Sequence, residues 1–166
     1  MAIPAVEPVE QAHAPGEERP LRSYAVLTSG FGTAVVGTLA LLERSGRRLP
    51  ARFAAADLVL VALATHKLSR ILAKDRVTSF LRAPFTEYQG PAGPSEVEER
   101  PRGTGLRRAA GELAVCPYCL APWVASALLT AHIAAPRAAR FASAVFAVVA
   151  VSDALQLAYH AGQERS

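Results

Sequence analysis

The sequence predicts an all-α integral membrane protein, a bundle of about four helices near residues 23-42, 53-74, 117-135 and 140-161. Hydrophobic residues make up 51% of the chain and charged residues only 19%, below the roughly 25% of a soluble domain. Long windows with one charged residue or none recur along the chain, whereas a helix of a small soluble protein needs a wet face. Sixteen of the eighteen basic residues are arginines, and most of them lie between the apolar runs.

The first predicted helix follows a polar tail. Residues 1-22 contain four prolines and four glutamates, which predicts a disordered cytoplasmic tail. Residues 23–42 contain no charged side chain, and this length crosses a hydrocarbon core of about 30 Å. Ser29, Thr33 and Gly37 recur at helical spacing and form a stripe of small residues, which lets another helix approach closely.

The second segment, residues 53–74, is ambiguous. Asp57 lies near its start, and His66, Lys67, Arg70 and Lys74 crowd its end on one side of a helical wheel. Such a helix either spans the bilayer with a polar stripe or lies in the interface. We favour a spanning helix.

A long polar connection follows. The piece "VTSFLRAPFTEY" begins as a short amphipathic segment suited to a membrane surface. Residues 86-106 are rich in proline, glycine and charge, which predicts a flexible loop. Four arginines are candidates for holding this loop against anionic lipid, with a solvated loop as the alternative: Arg100, Arg102, Arg107 and Arg108.

The last two helices are predicted from two more apolar windows, the whole unit forming a transmembrane helical domain over 23-162. Residues 116–136 contain no Asp, Glu, Lys or Arg, and Pro117 fits a first helical turn. Residues 141–163 contain Asp153 as their only charged side chain, and 163-166 form a short tail.

The basic residues predict the orientation in the bilayer. With four spans, one side carries ten basic residues and the opposite side six. The positive-inside rule then predicts a multi-pass protein of the bacterial inner (cell) membrane with both termini in the cytoplasm. Cys116 and Cys119 fall at the cytoplasmic end of the third helix, where a standing disulfide is not expected because the cytosol is reducing.

Ionisable groups inside a spanning helix usually mark a partner or a function. The second and fourth helices run in the same direction, which places Asp153 at the depth of His66, Lys67 and Arg70. We therefore predict an intramembrane ion pair between Asp153 and one of these residues. Snorkelling of the basic side chains to the surface and a proton or ion pathway are the alternatives.

The cysteines allow three interpretations. "CPYC" is the tetrapeptide found in glutaredoxin active sites, but the βαβ unit that holds it there is not predicted in this chain. Plain packing, a reactive thiol pair, and half of a zinc site completed by His160 stay open. Apart from this zinc ion, no cofactor is expected.

One combination of residues resembles a known family. Arg70, Asp75, Arg82, Pro84 and Phe85 precede a Pro/Gly-rich loop, and Gly111, Glu112, Cys116, Cys119 and Trp123 follow it. This order is similar to that of the bacterial and phage membrane family named domain of unknown function 1360, one relative of which is associated with sporulation. The resemblance covers roughly residues 53–162 and implies a small integral membrane protein, with no chemistry assigned.

These observations favour a non-enzymatic scaffold or interaction protein whose partners are the lipid bilayer and a second copy of the chain. The arginine distribution gives no reason to expect a nucleic-acid partner. Two alternatives remain: a membrane-bound thiol or metal protein that uses Cys116 and Cys119, and a small transporter or channel subunit that uses Asp153 with a basic partner.

Overall fold

The fold is mostly helical with one small sheet. A computed structural model describes residues 12–15 and 19–164, so most of the predicted tail 1-22 and the last two residues lie outside the described residues. Along the described chain the elements are α1 (Leu21–Arg44), α2 (Ala55–Lys74), a 3-10 turn (Arg76–Thr78), α3 (Ser79–Arg82), β1 (Thr86–Gly93), β2 (Glu96–Pro101), α4 (Gly105–Val115), α5 (Pro117–Ala134) and α6 (Pro136–Gln163).

The predicted all-α class is confirmed in part: the described chain is mostly helical, but residues 86-106, predicted to be a flexible loop, contain a small antiparallel sheet. Strands β1 and β2 pair antiparallel from Thr86 opposite Pro101 to Gly93 opposite Glu96, with two irregularities in register. Ser95 adopts a positive φ of 65° in the connection, a conformation that suits a tight turn. Prolines and glycines that argue against a strand are tolerated here because a two-stranded sheet has only edge strands.

The hairpin is one part of a larger unit. We use the name hairpin module for the 3-10 turn, α3, the two strands and α4, and the name helix layer for α1, α2, α5 and α6. Val97 of β2 and Ala109 of α4 are each 1% exposed, so strand and helix share a small core. Gly111 of α4 allows this packing, because a Cβ atom there would lie 2.6 Å from the Phe85 carbonyl oxygen.

Helix α2 is the centre of the helix layer and packs against both α5 and α6. Its Val61 and Ala64 form a buried cluster with Val124 and Leu128 of α5. On α6 the residues buried against this layer are small and spaced four apart: Ala139, Ser143 and Ala147. Small side chains at this spacing let two helices approach closely along their length.

Two helices, α1 and α6, are long and apolar enough to cross a membrane. Helices α4 and α5 together would supply a third crossing, although an 81° bend separates them. Length and hydropathy therefore indicate two or three crossings in the described residues, fewer than the four predicted from the sequence. Helix α2, predicted to span, is not among the candidates, and its last two turns carry Lys67, Arg70 and Lys74.

Candidate functional site

The most elaborate polar arrangement surrounds Arg82 in the hairpin module. Its side chain is 2% exposed, and its Nε and Nη2 atoms donate to the two carboxylate oxygens of Glu99 at 2.9 and 3.0 Å. The guanidinium also donates to two backbone carbonyls and two hydroxyls: Leu72 O at 2.8 Å, Asp75 O at 3.0 Å, Thr78 Oγ1 at 2.7 Å and Ser79 Oγ at 3.1 Å. Carbonyls at a helix end lack intrahelical partners, so Arg82 caps α2 and joins it to β2.

The Glu99 carboxylate also has hydrogen-bond partners for both of its oxygens. Besides Arg82, the hydroxyls of Ser79 and Thr86 donate to its carboxylate at 2.7 and 2.8 Å. Burial raises the pKa of Glu99, but the hydrogen bonds from Arg82, Ser79 and Thr86 outweigh it and hold the pKa below its usual value. The carboxylate is thus ionised at neutral pH and serves as the anchor of β2.

Two further ion pairs fasten β2 to the end of α2. Arg70 donates to both carboxylate oxygens of Glu96 at 2.6 and 2.9 Å, and Lys74 Nζ lies 3.1 Å from Glu98 Oε2. The polar side chains at the end of α2 thus bind the hairpin. The spacing of Arg70 and Lys74 in the sequence indicated a polar stripe. Their acidic partners were not predicted, because Glu96 and Glu98 lie in a segment predicted to be a loop.

The Asp153 carboxylate lies against Lys67. The Lys67 Nζ atom is 2.7 Å from Asp153 Oδ2, while Arg70 is bonded to Glu96 and His66 is exposed on α2. A second pair, not expected from the sequence, joins the same two helices near their starts, where Arg140 donates to both oxygens of Asp57. The two pairs occur in the same order along α2 and α6, so these helices are parallel.

Three of the four arginines predicted to face lipid have partners within the protein. Arg102 and Arg107 donate to the Pro84 carbonyl, and Arg107 does so through two nitrogens at 3.0 and 2.8 Å. Arg108 Nε lies 3.2 Å from Glu112 Oε1, and Tyr24 of α1 donates its hydroxyl to the same carboxylate. Arg100 is exposed opposite Glu87 on the hairpin.

The cysteines form a disulfide, Cys116–Cys119, which corrects the expectation of two separate thiols. The bond lies at the corner between α4 and α5, where Cys116 is the N-cap residue of α5 and Pro117 its first helical residue. The Cys119 N–H donates to Cys116 Sγ at 3.2 Å. The spacing that suggests a metal site therefore brings the two sulfurs together across one helical turn.

A zinc site is not assembled within the described part of the chain. His160 is exposed near the end of α6, beside the ring of Tyr159. Over residues 12–15 and 19–164 the structure contains no group of three or more His, Cys, Asp or Glu side chains placed to hold a metal ion. Because the two sulfurs are bonded to each other, they do not offer two thiolates to a metal ion in this structure.

Two grooves flank α5. A groove of about 460 Å³ lies between α2 and the start of α5, with Thr65 and His66 on one wall and Pro117 and Tyr118 on the other. A larger one, about 710 Å³, lies between α1 and α5 and is lined mainly by apolar side chains. Within the second, Phe31 of α1 packs on Trp123 with ring centroids 4.9 Å apart.

Comparison with known proteins agrees with the resemblance read from the sequence. Residues 60–159 match the family described as "Protein of unknown function (DUF1360)". A similar protein is "Sporulation protein YjcA" of Bacillus subtilis (strain 168), which is 29% identical over 102 residues, or 60% of this chain and 86% of that protein. No solved structure matches the chain. The matched region contains the hairpin module and both cysteines but not α1.

Proposed function

Because this chain belongs to the DUF1360 family, whose function is unknown, we propose its role from the structure: a non-enzymatic membrane scaffold. In this proposal the helix layer lies in the bilayer, and the hairpin module is held rigidly at the cytoplasmic surface as an interaction platform. The observation that carries it is the buried Arg82–Glu99 pair, which fixes the module to α2 and leaves neither charge free for chemistry.

The apolar outer surface of the helix layer supports insertion into lipid. On α1, Val36 and Leu41 are 66% and 64% exposed, and on α6, Phe141 and Val148 are 74% and 69% exposed. So many large apolar side chains exposed along two helices are unusual on a soluble monomer. Acyl chains would cover it without competing for hydrogen bonds.

Contacts between helix ends support a four-crossing arrangement that includes α2. At one end Tyr24 of α1 reaches Glu112 of α4, which belongs to the hairpin module. At the other end Arg47, after α1, donates to the Ile133 carbonyl near the end of α5, and Asp57 pairs with Arg140. The start of α1 thus lies near the end of α4, while the end of α1, the end of α5 and the starts of α2 and α6 lie together at the opposite end. Four helices that cross in alternating directions would have this arrangement. The lysine and arginines of α2 are acceptable because their partners lie inside the protein.

The short helices of the module support a position at the membrane surface. Val77, Phe80 and Leu81 are 77%, 72% and 50% exposed, and they lie next to the end of α2. Apolar side chains at the end of a spanning helix partition into the headgroup region. We propose that these three residues dip into the interface and that the hairpin faces the cytosol.

Labelling of introduced cysteines tests the topology. In a Cys116→Ser/Cys119→Ser background, Ser95→Cys in the hairpin and Ser45→Cys after α1 are each treated with a membrane-impermeant maleimide in intact cells. We expect labelling of Ser45→Cys alone, and labelling of both sites after the cells are opened. Labelling of Ser95→Cys in intact cells would show that the module lies outside and would reject a cytoplasmic platform.

Self-association is the second candidate role, favoured by the free face of α1. Ser29, Thr33 and Gly37 are exposed on the side opposite Phe31, which contacts α5. Gly37→Leu should abolish a dimer formed through this face. Gly32→Leu, on another side of the helix, is the matched control, since a Cβ atom at either glycine has no neighbour within 4 Å. Identical crosslinking of both variants and the parent chain would exclude this interface.

A further inference from the structure

We propose that Cys116 and Cys119 form a thiol–disulfide exchange site whose substrate is the cysteine thiol of a peptide. This goes beyond the scaffold role and does not depend on it. The two sulfurs are joined at the first turn of α5, at a corner where the chain bends by 81°. The bond links residues three positions apart, so it closes a short loop, and the cross-linking of distant segments does not explain it.

The two sulfurs differ in ways that assign their roles. Cys119 is exposed and Cys116 is half-buried, so an incoming thiolate has access to the Cys119 sulfur. Cys116 Sγ accepts the Cys119 N–H at 3.2 Å and caps the helix. Backbone N–H groups at a helix start stabilise a thiolate, and a stabilised thiolate is the better leaving group. Cys119 is therefore the attacked sulfur and Cys116 the leaving sulfur.

The exchange balances with a thiol as the reductant. A peptide thiolate attacks Cys119 Sγ, the Cys116–Cys119 bond breaks, and its electron pair leaves on Cys116 Sγ. A second peptide thiolate attacks the peptide sulfur of the mixed disulfide, and Cys119 leaves as a thiolate that takes a proton from water. Cys116 also takes a proton from water, and these two protons replace the two that the peptide thiols released on ionising. Two peptide thiols have become one peptide disulfide, and the protein has gained two electrons and two protons as a dithiol. A peptide disulfide drives the reverse reaction.

The groove between α2 and α5 supplies a place for the peptide. Pro117 and Tyr118, the two residues between the cysteines, form part of one wall. The opposite wall carries Thr65, which is 9% exposed and whose Oγ1 has no hydrogen-bond partner among the described residues. A buried hydroxyl without a partner is costly, and an amide group of a bound peptide would satisfy it. The remaining walls are mainly apolar.

A redox titration of the full chain in detergent tests the proposal without any substitution. The protein is equilibrated with mixtures of reduced and oxidised glutathione, and free thiols are trapped by alkylation and counted by mass spectrometry. We expect both cysteines to change together in one two-electron transition within the range of the mixtures. A disulfide that stays closed throughout, or two thiols that never join, would overturn the proposal.

Two variants separate exchange from a merely structural bond. Cys116→Ser should accumulate a mixed disulfide between Cys119 and glutathione, because the leaving sulfur is gone and the accessible one remains. Thr65→Val should slow reduction by glutathione about fivefold, the value of one hydrogen bond, while reduction by dithiothreitol, which has no amide, is unchanged. Equal rates of the parent and Thr65→Val with glutathione would remove the groove from the proposal. Failure of Cys116→Ser to form the mixed disulfide would contradict the assignment of the attacked sulfur.

A comparison of reduction rates identifies the size of the substrate. Glutathione, a cysteine-containing peptide and a reduced dithiol protein are compared at equal thiol concentration. The fastest of them distinguishes a small peptide substrate from a protein one.

Discussion

The hairpin module and the helix layer place their charged side chains differently. In the module, Arg82 and Glu99 are 2% and 6% exposed and form the centre of the packing. In the helix layer, Lys67 and Asp153 form a pair whose acidic side chain is 43% exposed. In the module, therefore, the buried ion pair of Arg82 and Glu99 holds together a unit that has only a small hydrophobic core. In the layer, charge only adjusts helices that apolar contacts already hold.

The largest expected effect is the loss of one member of the buried pair. Glu99→Gln leaves the Arg82 guanidinium buried without its counter-charge, which typically costs about 3–5 kcal/mol. We expect a lower unfolding midpoint in detergent and faster tryptic cleavage after Arg102, directly after β2. Glu98→Gln is the control, because Glu98 is 56% exposed and pairs with Lys74 on the surface, where a pair contributes at most about 1 kcal/mol. Equal losses in the two variants would contradict the central role of the pair.

Acid should weaken the module in the same way. The pKa of Glu99 is lower in the folded protein than its usual value, so ionised Glu99 favours folding at every pH above its pKa in the unfolded chain. This contribution is lost as the pH falls through the lower pKa of the folded state. Proteolysis of the hairpin should therefore accelerate in acid in the parent chain. The difference between the parent and Glu99→Gln should shrink over the same range, and a constant difference would exclude Glu99 as the group that titrates.

The close approach of α4 to the hairpin gives the next effect. In Gly111→Ala the new Cβ atom would lie 2.6 Å from the Phe85 carbonyl and 3.1 Å from Pro101 Cβ, so the helix must shift. Overpacking of this kind costs about 1–3 kcal/mol, measurable as a lower unfolding midpoint. Gly37→Ala in α1 meets no atom within 4 Å and should leave stability unchanged or raise it by up to about 1 kcal/mol. A Gly111→Ala variant as stable as its parent would show that α4 can move away.

The helix layer was largely predictable from the sequence, and the module was not. Apolar length alone locates α1 and α6, and the residues predicted to lie beside Asp153 include its partner Lys67. Helix ends differ from the predictions by a few residues, as at Pro136, because proline is also favourable in a first helical turn. The family resemblance, over roughly residues 53–162, is confirmed by the match over 60–159.

The hairpin module could not be predicted because its formation depends on contacts between residues that are distant in the sequence. In β2 the inward residues are Val97 and Glu99, and a glutamate at an inward position disguises the alternation of a strand. The burial of Glu99 becomes favourable only through Arg82, which lies seventeen residues earlier in the sequence and pairs with its carboxylate. The disulfide was missed for a different reason: the expectation rested on the redox state of a compartment and not on the distance between the two residues.

The smallest expected effect concerns the pair in the helix layer, and it measures the contrast with the module directly. Lys67→Met, Asp153→Asn and the double variant form a cycle that isolates the coupling between Lys67 and Asp153. Polar contacts between helices in a bilayer average about 0.6 kcal/mol, so we expect a coupling of that order, from unfolding in mixed micelles. The unfolded chain in a membrane also finds partners for its polar groups, which is why the value is small. A coupling as large as the loss in Glu99→Gln would mean that the pair is a core element of the fold, and the contrast between the two regions would disappear.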